Sequence, residues 1–121
     1  MDMDLIINAQ KRFTTFIHTV LETETIWGLK NTSGWCVCES NEYEDTDVML
    51  FWSNKSYAQQ CTIQEWANYS PTAIPLEQFL KNWLPGMIKD DLLVGVNWNT
   101  HLIGLELEPQ LLLNFLNEKN L

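Results

Sequence analysis

Residues 25–39, TIWGLKNTSGWCVCE, decide the fold class. Residues 25–30 and 35–39 are short runs rich in the apolar, β-branched and aromatic side chains that favour strands. Between them lies the polar cluster NTSG at residues 31–34, which ends in the glycine that tight turns often need. This pattern predicts a β-hairpin, and a hairpin favours an antiparallel sheet over one built from alternating strands and helices.

Three helices are predicted from the spacing of apolar residues around this hairpin. In residues 4–22 the apolar positions recur at intervals of three and four, which places them on one stripe of a helix. The stripe consists of Leu5, Ala9, Phe13, Phe16, Ile17, Val20 and Leu21. Residues 76–84 show the same spacing, and we expect Pro85-Gly86 to stop that helix. A last helix is predicted to open at Pro109.

The remaining segments predict strands. The apolar run VMLFW at residues 48–52 has strand length, and Ser53 after it is a suitable N-cap for a short fourth helix. Residues 72–74 are extended between two prolines, and residues 92–98 and 103–107, with a turn at 97–101, predict a second hairpin. The order is α-β-β-β-α-β-α-β-β-α. It predicts a single α+β domain over residues 1–121, with a mainly antiparallel sheet of about five to six strands and flanking helices.

Length and charge restrict the class of protein. The chain has 121 residues, a formal net charge of −9 and seven scattered basic residues, so we expect no direct binding of nucleic acid or of an anionic membrane. No apolar run approaches the roughly eighteen residues of a transmembrane helix. The acidic start at residues 1–4 is unlike a secretory signal, and three irregularly spaced cysteines form no disulfide framework. These features predict a cytoplasmic location.

No catalytic, cofactor or metal signature occurs in the sequence. The five glycines are isolated, so phosphate-binding and nucleophile-elbow motifs are absent, and we expect neither a cofactor nor an enzymatic activity. Cys36, Cys38 and Cys61 lack the second ligand pair of a structural zinc site, which favours packing in the core over metal binding. Glu106 and Glu108 share one face of a strand, and we expect both carboxylates to be solvated.

Six tryptophans are the most informative side chains, because a tryptophan anchors either a core or a recognition surface. We expect Trp83, on a helical stripe, in the core, and Trp27 and Trp35 packed on the sheet, whereas Trp66 is ambiguous. Glycines within strands suit close packing of Trp27 or Trp98. Two tryptophans at strand ends remain candidates for a binding surface, which comprises Trp52, Ser53, Asn97, Trp98 and His101.

Two functional hypotheses follow. The first is a non-enzymatic protein-interaction module, of inhibitor or immunity type, with Trp52 and Trp98 as anchors for a basic protein partner. An acidic loop would steer that partner, and its candidate residues are Glu39, Glu42, Glu44, Asp45 and Asp47. The alternative is a small-ligand-binding protein, or an unrecognised enzyme, with a pocket around Trp27, Asn97, Trp98 and His101. A structural homo-oligomer is a third possibility, and the sequence does not determine the oligomeric state.

Tryptophan-containing blocks carry a resemblance to a known family. The blocks TIWGLK…GW, VMLFWSNKSYAQQC…EW, AIPLEQFLKNWLPGM and VGVNWN…G…LEP resemble a family of short bacterial proteins of unknown function, DUF2750, from about Phe13 to Phe115. The resemblance implies a stand-alone cytoplasmic α+β domain with no catalytic residues to carry over. LFWSNKSYA and VGVNWNTHLIGLELEP are also similar to the N-terminal domain of the enhanced serine sensitivity protein family, which implies that Trp52-Ser53 and Asn97-Trp98 lie at one rim.

Overall fold

The computed structural model describes residues 3–101 and 104–119. Within these ranges the helices are α1 (Met3–Thr23), α2 (Lys55–Gln60), α3 (Leu76–Gln78), α4 (Leu84–Lys89) and α5 (Pro109–Lys119). The strands are β1 (Thr25–Asn31), β2 (Gly34–Trp35), β3 (Val37–Glu39), β4 (Asp47–Phe51), β5 (Ser70–Pro75), β6 (Leu93–Val96) and β7 (Leu105–Leu107). A π-helical segment, Phe79–Trp83, joins α3 to α4, and a short 3₁₀ helix covers Gln64–Trp66.

The strands form two sheets, one with the order β2-β1-β5 and one with the order β3-β4-β6-β7. The neighbours β4 and β6 are parallel, and every other pair is antiparallel. A backbone bridge between Trp27 and Trp52 connects the sheets, with N–H···O distances of 2.8 and 2.7 Å. The α+β class is confirmed, whereas the predicted strand count and order match this arrangement only roughly.

The second arm of the predicted hairpin is shared between the two sheets. Gly34 and Trp35 pair with β1, but the chain then turns at Cys36, and Val37–Glu39 pairs with β4 instead. The backbone N–H of Cys36 still donates to the carbonyl of Leu29 at 2.8 Å, so the crossing point stays hydrogen-bonded. Pairing with β3 covers the backbone edge of β4, and an uncovered edge would invite unwanted pairing.

The helix predicted at residues 76–84 does not stop at Pro85-Gly86 and continues to Lys89. Pro85 lies in the first turn of α4, directly after the π-helical segment. A proline inside an α-helix loses a hydrogen bond and collides with the carbonyl four residues earlier, and a π-helical turn moves that carbonyl away. The helical run therefore continues past the proline to Lys89.

The other boundaries lie close to their predictions, with two corrections. Helix α1 is confirmed, although the side chains of Leu5 and Ala9 lie outside the described residues. The predicted N-cap Ser53 is wrong, because α2 begins at Lys55 with Asn54 as its N-cap. Strand β6 ends at Val96, and Ile103 lies outside the described residues.

Two groups of buried side chains form the core. The larger group joins α1, the helical run from Leu76 to Lys89, and α5 to the sheets through residues such as Phe16 and Phe51. The smaller group gathers Trp52, Trp98 and Cys61 against strands β1 and β4. Trp98 and Cys61 of this smaller group form the floor of the cleft described below. No helix among the described residues has both the length and the hydropathy needed to cross a membrane.

Candidate ligand-binding cleft

A buried polar group lies at the carboxyl ends of strands β4 and β6. Because the two strands are parallel neighbours, with Phe51 opposite Val96, the residues that follow them leave the sheet at the same edge. In α/β folds this edge is the usual position of ligand sites. Here it brings Ser53 and Asn97 into direct contact.

Asn97 is the centre of this polar group. Its side chain is 2% exposed, and its Oδ1 accepts a hydrogen bond from the backbone N–H of Ser53 at 2.8 Å. Its Nδ2 donates to the hydroxyl of Ser53 at 3.0 Å and to the carbonyl of Arg12 at 3.1 Å. The backbone of Asn97 has a φ of +49°, in the left-handed region that asparagine tolerates better than most residues.

Arg12 and Asn97 hold each other through a reciprocal pair of hydrogen bonds. The Nε–H of Arg12 donates to the carbonyl of Asn97 at 3.0 Å, while Asn97 donates to the carbonyl of Arg12. Partial burial lowers the pKa of the Arg12 guanidinium, yet an arginine remains protonated in proteins. The pair therefore fixes the position of a positive charge on α1 relative to the end of β6.

The prediction that Trp52 and Trp98 are exposed anchors is wrong. Trp52 is 0% and Trp98 is 3% exposed. Both ring N–H groups are satisfied inside the protein, that of Trp52 by the carbonyl of Trp98 and that of Trp98 by the carbonyl of Leu105, each at 3.0 Å. A core position supplies such partners, whereas a recognition surface would present the ring to solvent.

Two glycines explain how Trp98 becomes buried. A Cβ atom on Gly95 would lie 2.7 Å from Trp98 Nε1, and one on Gly104 would lie 3.0 Å from Trp98 Cα and also collide with the indole ring. The prediction that a tryptophan packs over strand glycines is confirmed for Trp98. It is wrong for Trp27, because Trp35 is the ring that covers Gly28.

Above this floor lies a cleft of about 270 Å³ between α1, α2 and the segment after β6. Its lining residues are Arg12, Thr15, Tyr57, Gln60, Cys61, Asn97, Trp98, Asn99 and Thr100. Of the residues predicted for a pocket, Asn97 and Trp98 line the cleft. Trp27 and His101 are not among the lining residues; Trp27 lies half-buried with Lys55 Nζ 6.0 Å from its ring, and His101 is exposed.

Sequence reasoning missed the polar wall of the cleft, which is contributed by Arg12, Thr15, Tyr57, Gln60, Asn99 and Thr100. One signal was available: Arg12 is the only arginine in the chain and falls off the apolar stripe of its helix. Periodicity shows only that such a residue faces away from the stripe. Its proximity to Asn97, which is 85 positions later, depends on tertiary contacts.

The acidic loop, residues 39–47, encloses a larger concavity of about 580 Å³. Its five predicted acidic residues, Glu39, Glu42, Glu44, Asp45 and Asp47, are all exposed. Only one loop lines this concavity, so its shape depends on that loop alone. The cleft at Arg12 is the better candidate site because three separate chain segments hold its walls.

Glu106 corrects a further expectation, because its carboxylate is not simply solvated. It accepts hydrogen bonds from the hydroxyl of Ser40 at 2.5 Å and from the backbone N–H of Asn41 at 2.8 Å, which attaches the acidic loop to β7. Glu108, by contrast, is exposed. Among the side chains that the structure describes, no group of three histidine, cysteine or acidic residues could hold a metal ion.

The cysteines have the environment of packed thiols. Burial raises the pKa of Cys36 and Cys61, and together with nearby carboxylates it raises the pKa of Cys38 to about 11. The thiol of Cys61 donates to the carbonyls of Trp98 and Asn99 at 3.6 and 3.7 Å. Since the thiolate is the nucleophile, these neutral thiols are not activated for covalent chemistry.

Comparison with known proteins gives one match. The family described as Protein of unknown function (DUF2750) matches residues 13–116, which is most of the chain. Neither the curated proteins nor the solved structures searched contain a match.

Proposed function

The chain belongs to the DUF2750 family of proteins of unknown function, and we propose that it is a small-ligand-binding protein whose site is the cleft beside Arg12. The burial of Trp52 and Trp98 removes the anchors on which a tryptophan-based protein-interaction surface would depend. The cleft retains what a ligand site needs, namely a concave shape, an aromatic floor and a few convergent polar groups.

The main support for the proposal is the charge of the side chains that line the cleft. The chain has sixteen acidic and seven basic residues, so carboxylates are the commoner charged groups on its surface. Among the described residues lining this cleft, Arg12 is charged and none is acidic. On an acidic protein, a cleft whose described lining holds a cation and no carboxylate favours a ligand that carries a negative group.

The rigidity of the site supports the same conclusion. Arg12 is connected to Asn97, Asn97 to Ser53, and both of the latter residues are almost fully buried. Binding costs less free energy when the contacting side chains are already ordered, because fewer rotamers are lost. The volume of about 270 Å³ is close to the lower end of the roughly 300–1,000 Å³ typical of ligand pockets, which indicates a small ligand.

A thermal-shift screen of small anions, cations and neutral compounds tests the proposal. An anionic ligand at about 100 times its Kd would raise the free energy of unfolding by about 2.7 kcal/mol, which is a readily measured shift. We expect the shift in the wild type and in Lys11→Gln, which removes an exposed charge from the same helix, but not in Arg12→Gln.

A second variant, which retains Arg12, tests the cleft independently of whether Arg12→Gln folds. Thr15 is exposed on α1 and lines the cleft, so Thr15→Phe should fill the cleft without disturbing the core. Circular dichroism checks that each variant is folded. The proposal fails if no anion shifts the melting temperature, or if the shift survives in both Arg12→Gln and Thr15→Phe.

A second candidate function is supported by the exposed acidic loop. Five carboxylates on one loop, attached to β7 through Glu106, form a negative surface that would steer a basic protein partner of inhibitor or immunity type. A pull-down at low and moderate salt tests this function, with a variant that carries Glu42→Gln, Glu44→Gln and Asp45→Asn as the control. Recovery of the same partner by the variant and the wild type would refute a role of the loop.

A further inference from the structure

We propose that the surface around the end of α4 binds an alkyl polyamine, a flexible chain whose cationic amines are separated by methylene groups. Two clefts adjoin at this surface, and their described lining shares no residue with the cleft beside Arg12. The two sites are therefore independent, and each can be tested without the other.

The first cleft has a volume of about 320 Å³ and combines apolar side chains with one carboxylate. Met49, Met87 and Leu92 supply apolar walls, and Asp90 is the charged residue of its described lining. Trp83 contributes a half-buried indole ring. A tryptophan ring attracts cations over its face, so this cleft suits a positive group that carries an apolar segment.

The second cleft has a volume of about 240 Å³ and holds two carboxylates, those of Asp91 and Glu108. Its walls are also largely apolar, and they include the exposed side chain of Ile88. Met87 and Leu92 line both clefts, so the two clefts meet along these side chains. Together they form one apolar surface that is flanked by three carboxylates.

The charge of this surface favours a cation. Among the described residues, neither cleft has a basic side chain in its lining, and Lys89, the nearest lysine in sequence, lines neither. The carboxylates of Asp90, Asp91 and Glu108 form no ion pair with a described residue. An exposed ion pair contributes little by itself, so binding here requires several pairs together with apolar contact.

The arrangement of the carboxylates favours a polyamine over other cations. Asp90 and Asp91 line different clefts, yet they are consecutive residues, and consecutive Cα atoms lie about 3.8 Å apart. A short run of methylene groups can therefore connect an amine in one cleft to an amine in the other while it contacts Met87 and Leu92. A metal ion would leave the apolar walls unused, and a single ammonium would leave one cleft without a positive charge.

Gly86 supports an occupant from outside the chain. This glycine lies within α4 and lines the first cleft. Glycine inside a helix costs about 0.5–1 kcal/mol relative to alanine, and a Cβ atom at this position would meet no atom within 4 Å. Packing within the described part of the chain does not require a glycine here, whereas a ligand that closely approaches the helix backbone does.

Isothermal titration calorimetry with matched compounds tests the proposal. The probes are spermidine, putrescine, butylamine, the butanediol with a hydroxyl at each end, and Mg²⁺. Butylamine removes one amine of putrescine, the diol removes both charges, and Mg²⁺ keeps a double charge without methylene groups. We expect the affinity to rise about fivefold from butylamine to putrescine and again from putrescine to spermidine, since each step adds an ion pair. The diol and Mg²⁺ should bind more weakly than putrescine.

A triple variant tests the location of the site. Asp90→Asn, Asp91→Asn and Glu108→Gln together remove the three carboxylates and keep the size of each side chain. Asp91 has a φ of +56°, which asparagine also tolerates, so we expect the variant to fold. Spermidine should bind it roughly tenfold or more weakly than the wild type, because all three ion pairs are lost.

The matched control removes three carboxylates from the acidic loop instead, through Glu42→Gln, Glu44→Gln and Asp45→Asn. These side chains are exposed and line neither cleft, so the control should bind spermidine with the affinity of the wild type. An equal loss of affinity in the two triple variants would show that polyamines bind the acidic surface in general, which would overturn the proposal.

Gly86→Leu tests the first cleft without a change of charge. Leucine is a good helix former and the position is open, so the variant should fold, as circular dichroism would verify, while its side chain fills the cleft and weakens the binding of spermidine. The proposal is wrong if no amine binds, if butylamine or Mg²⁺ binds as tightly as spermidine, or if Gly86→Leu keeps the wild-type affinity. Each of these results would leave the anion site at Arg12 unaffected.

Discussion

Replacing Asn97 by alanine should destabilise the protein more than any other single polar substitution at the site. The change removes a side chain that is 2% exposed and makes three hydrogen bonds, one accepted from the Ser53 backbone and two donated, to the Ser53 hydroxyl and to the Arg12 carbonyl. It also places alanine at a φ of +49°, where a Cβ is strained.

The magnitude follows from these four losses. A buried Ser53 N–H without a partner costs about 1–3 kcal/mol, and each of the other two hydrogen bonds contributes roughly 1 kcal/mol. The left-handed backbone adds about 1 kcal/mol. We therefore expect Asn97→Ala to lower the free energy of unfolding by about 4–6 kcal/mol, a large share of the roughly 5–15 kcal/mol typical of native proteins.

Urea unfolding followed by tryptophan fluorescence measures the loss of stability. A second variant separates the effect of the lost hydrogen bonds from that of the strained backbone. Asn97→Gly removes the same hydrogen bonds but accepts the left-handed backbone, so it should be about 1 kcal/mol less destabilising than Asn97→Ala. The control Asn68→Ala, in an exposed turn, should stay within about 0.5 kcal/mol of the wild type. A loss below about 1 kcal/mol for Asn97→Ala, or a larger loss for the glycine variant, would refute the reasoning.

Three further predictions concern other parts of the molecule. Gly104→Ala should lower the free energy of unfolding by about 1–3 kcal/mol or more, because the new Cβ collides with Trp98. Gly86 lies on a helix with open space around it, so Gly86→Ala should raise the free energy of unfolding by about 0.5–1 kcal/mol. Thermal unfolding of both variants tests this contrast. The pKa of Cys38 is raised to about 11 in the folded state, so the unfolded state loses its thiol proton first and this group should lower stability as pH rises from about 8.5 to 11. Urea titrations over that range should show the wild type losing stability relative to Cys38→Ala; a constant difference between the two, or a gain of the wild type over the variant, would contradict the prediction. Glu106→Ala should release the acidic loop from β7 and speed its cleavage in limited proteolysis, and an unchanged cleavage rate would contradict the role given to the two hydrogen bonds.

Much of the secondary structure could be predicted because it depends on local patterns. The apolar stripe of α1, the opening of α5 at Pro109 and the apolar run of β4 each reflect a short repeat along the chain. Two predictions from local sequence were wrong, namely that Pro85-Gly86 ends a helix and that residues 35–39 form one hairpin strand. A π-helical turn carries the chain past Pro85, and the backbone at Cys36 divides one extended segment between two sheets.

The candidate site could be predicted only in part. Ser53 and Asn97 were identified because each is next to a tryptophan at a predicted strand end, and the structure brings them into contact. The exposure assigned to Trp52 and Trp98 was wrong because a residue at the end of a strand can be covered by residues distant in sequence. Trp98 is covered because Gly95 and Gly104 leave room for its ring.

The sequence by itself determined the α+β class, the acidic surface and the family, since these depend on composition, on local periodicity and on blocks of residues along the chain. Only the tertiary structure decided that Trp52 and Trp98 belong to the core and that the candidate cleft lies beside Arg12. The contact between Arg12 and Asn97 spans 85 positions. No local pattern encodes such a contact, because it exists only once α1 packs across the end of β6 and the parallel pairing of β4 and β6 has placed Ser53 beside Asn97.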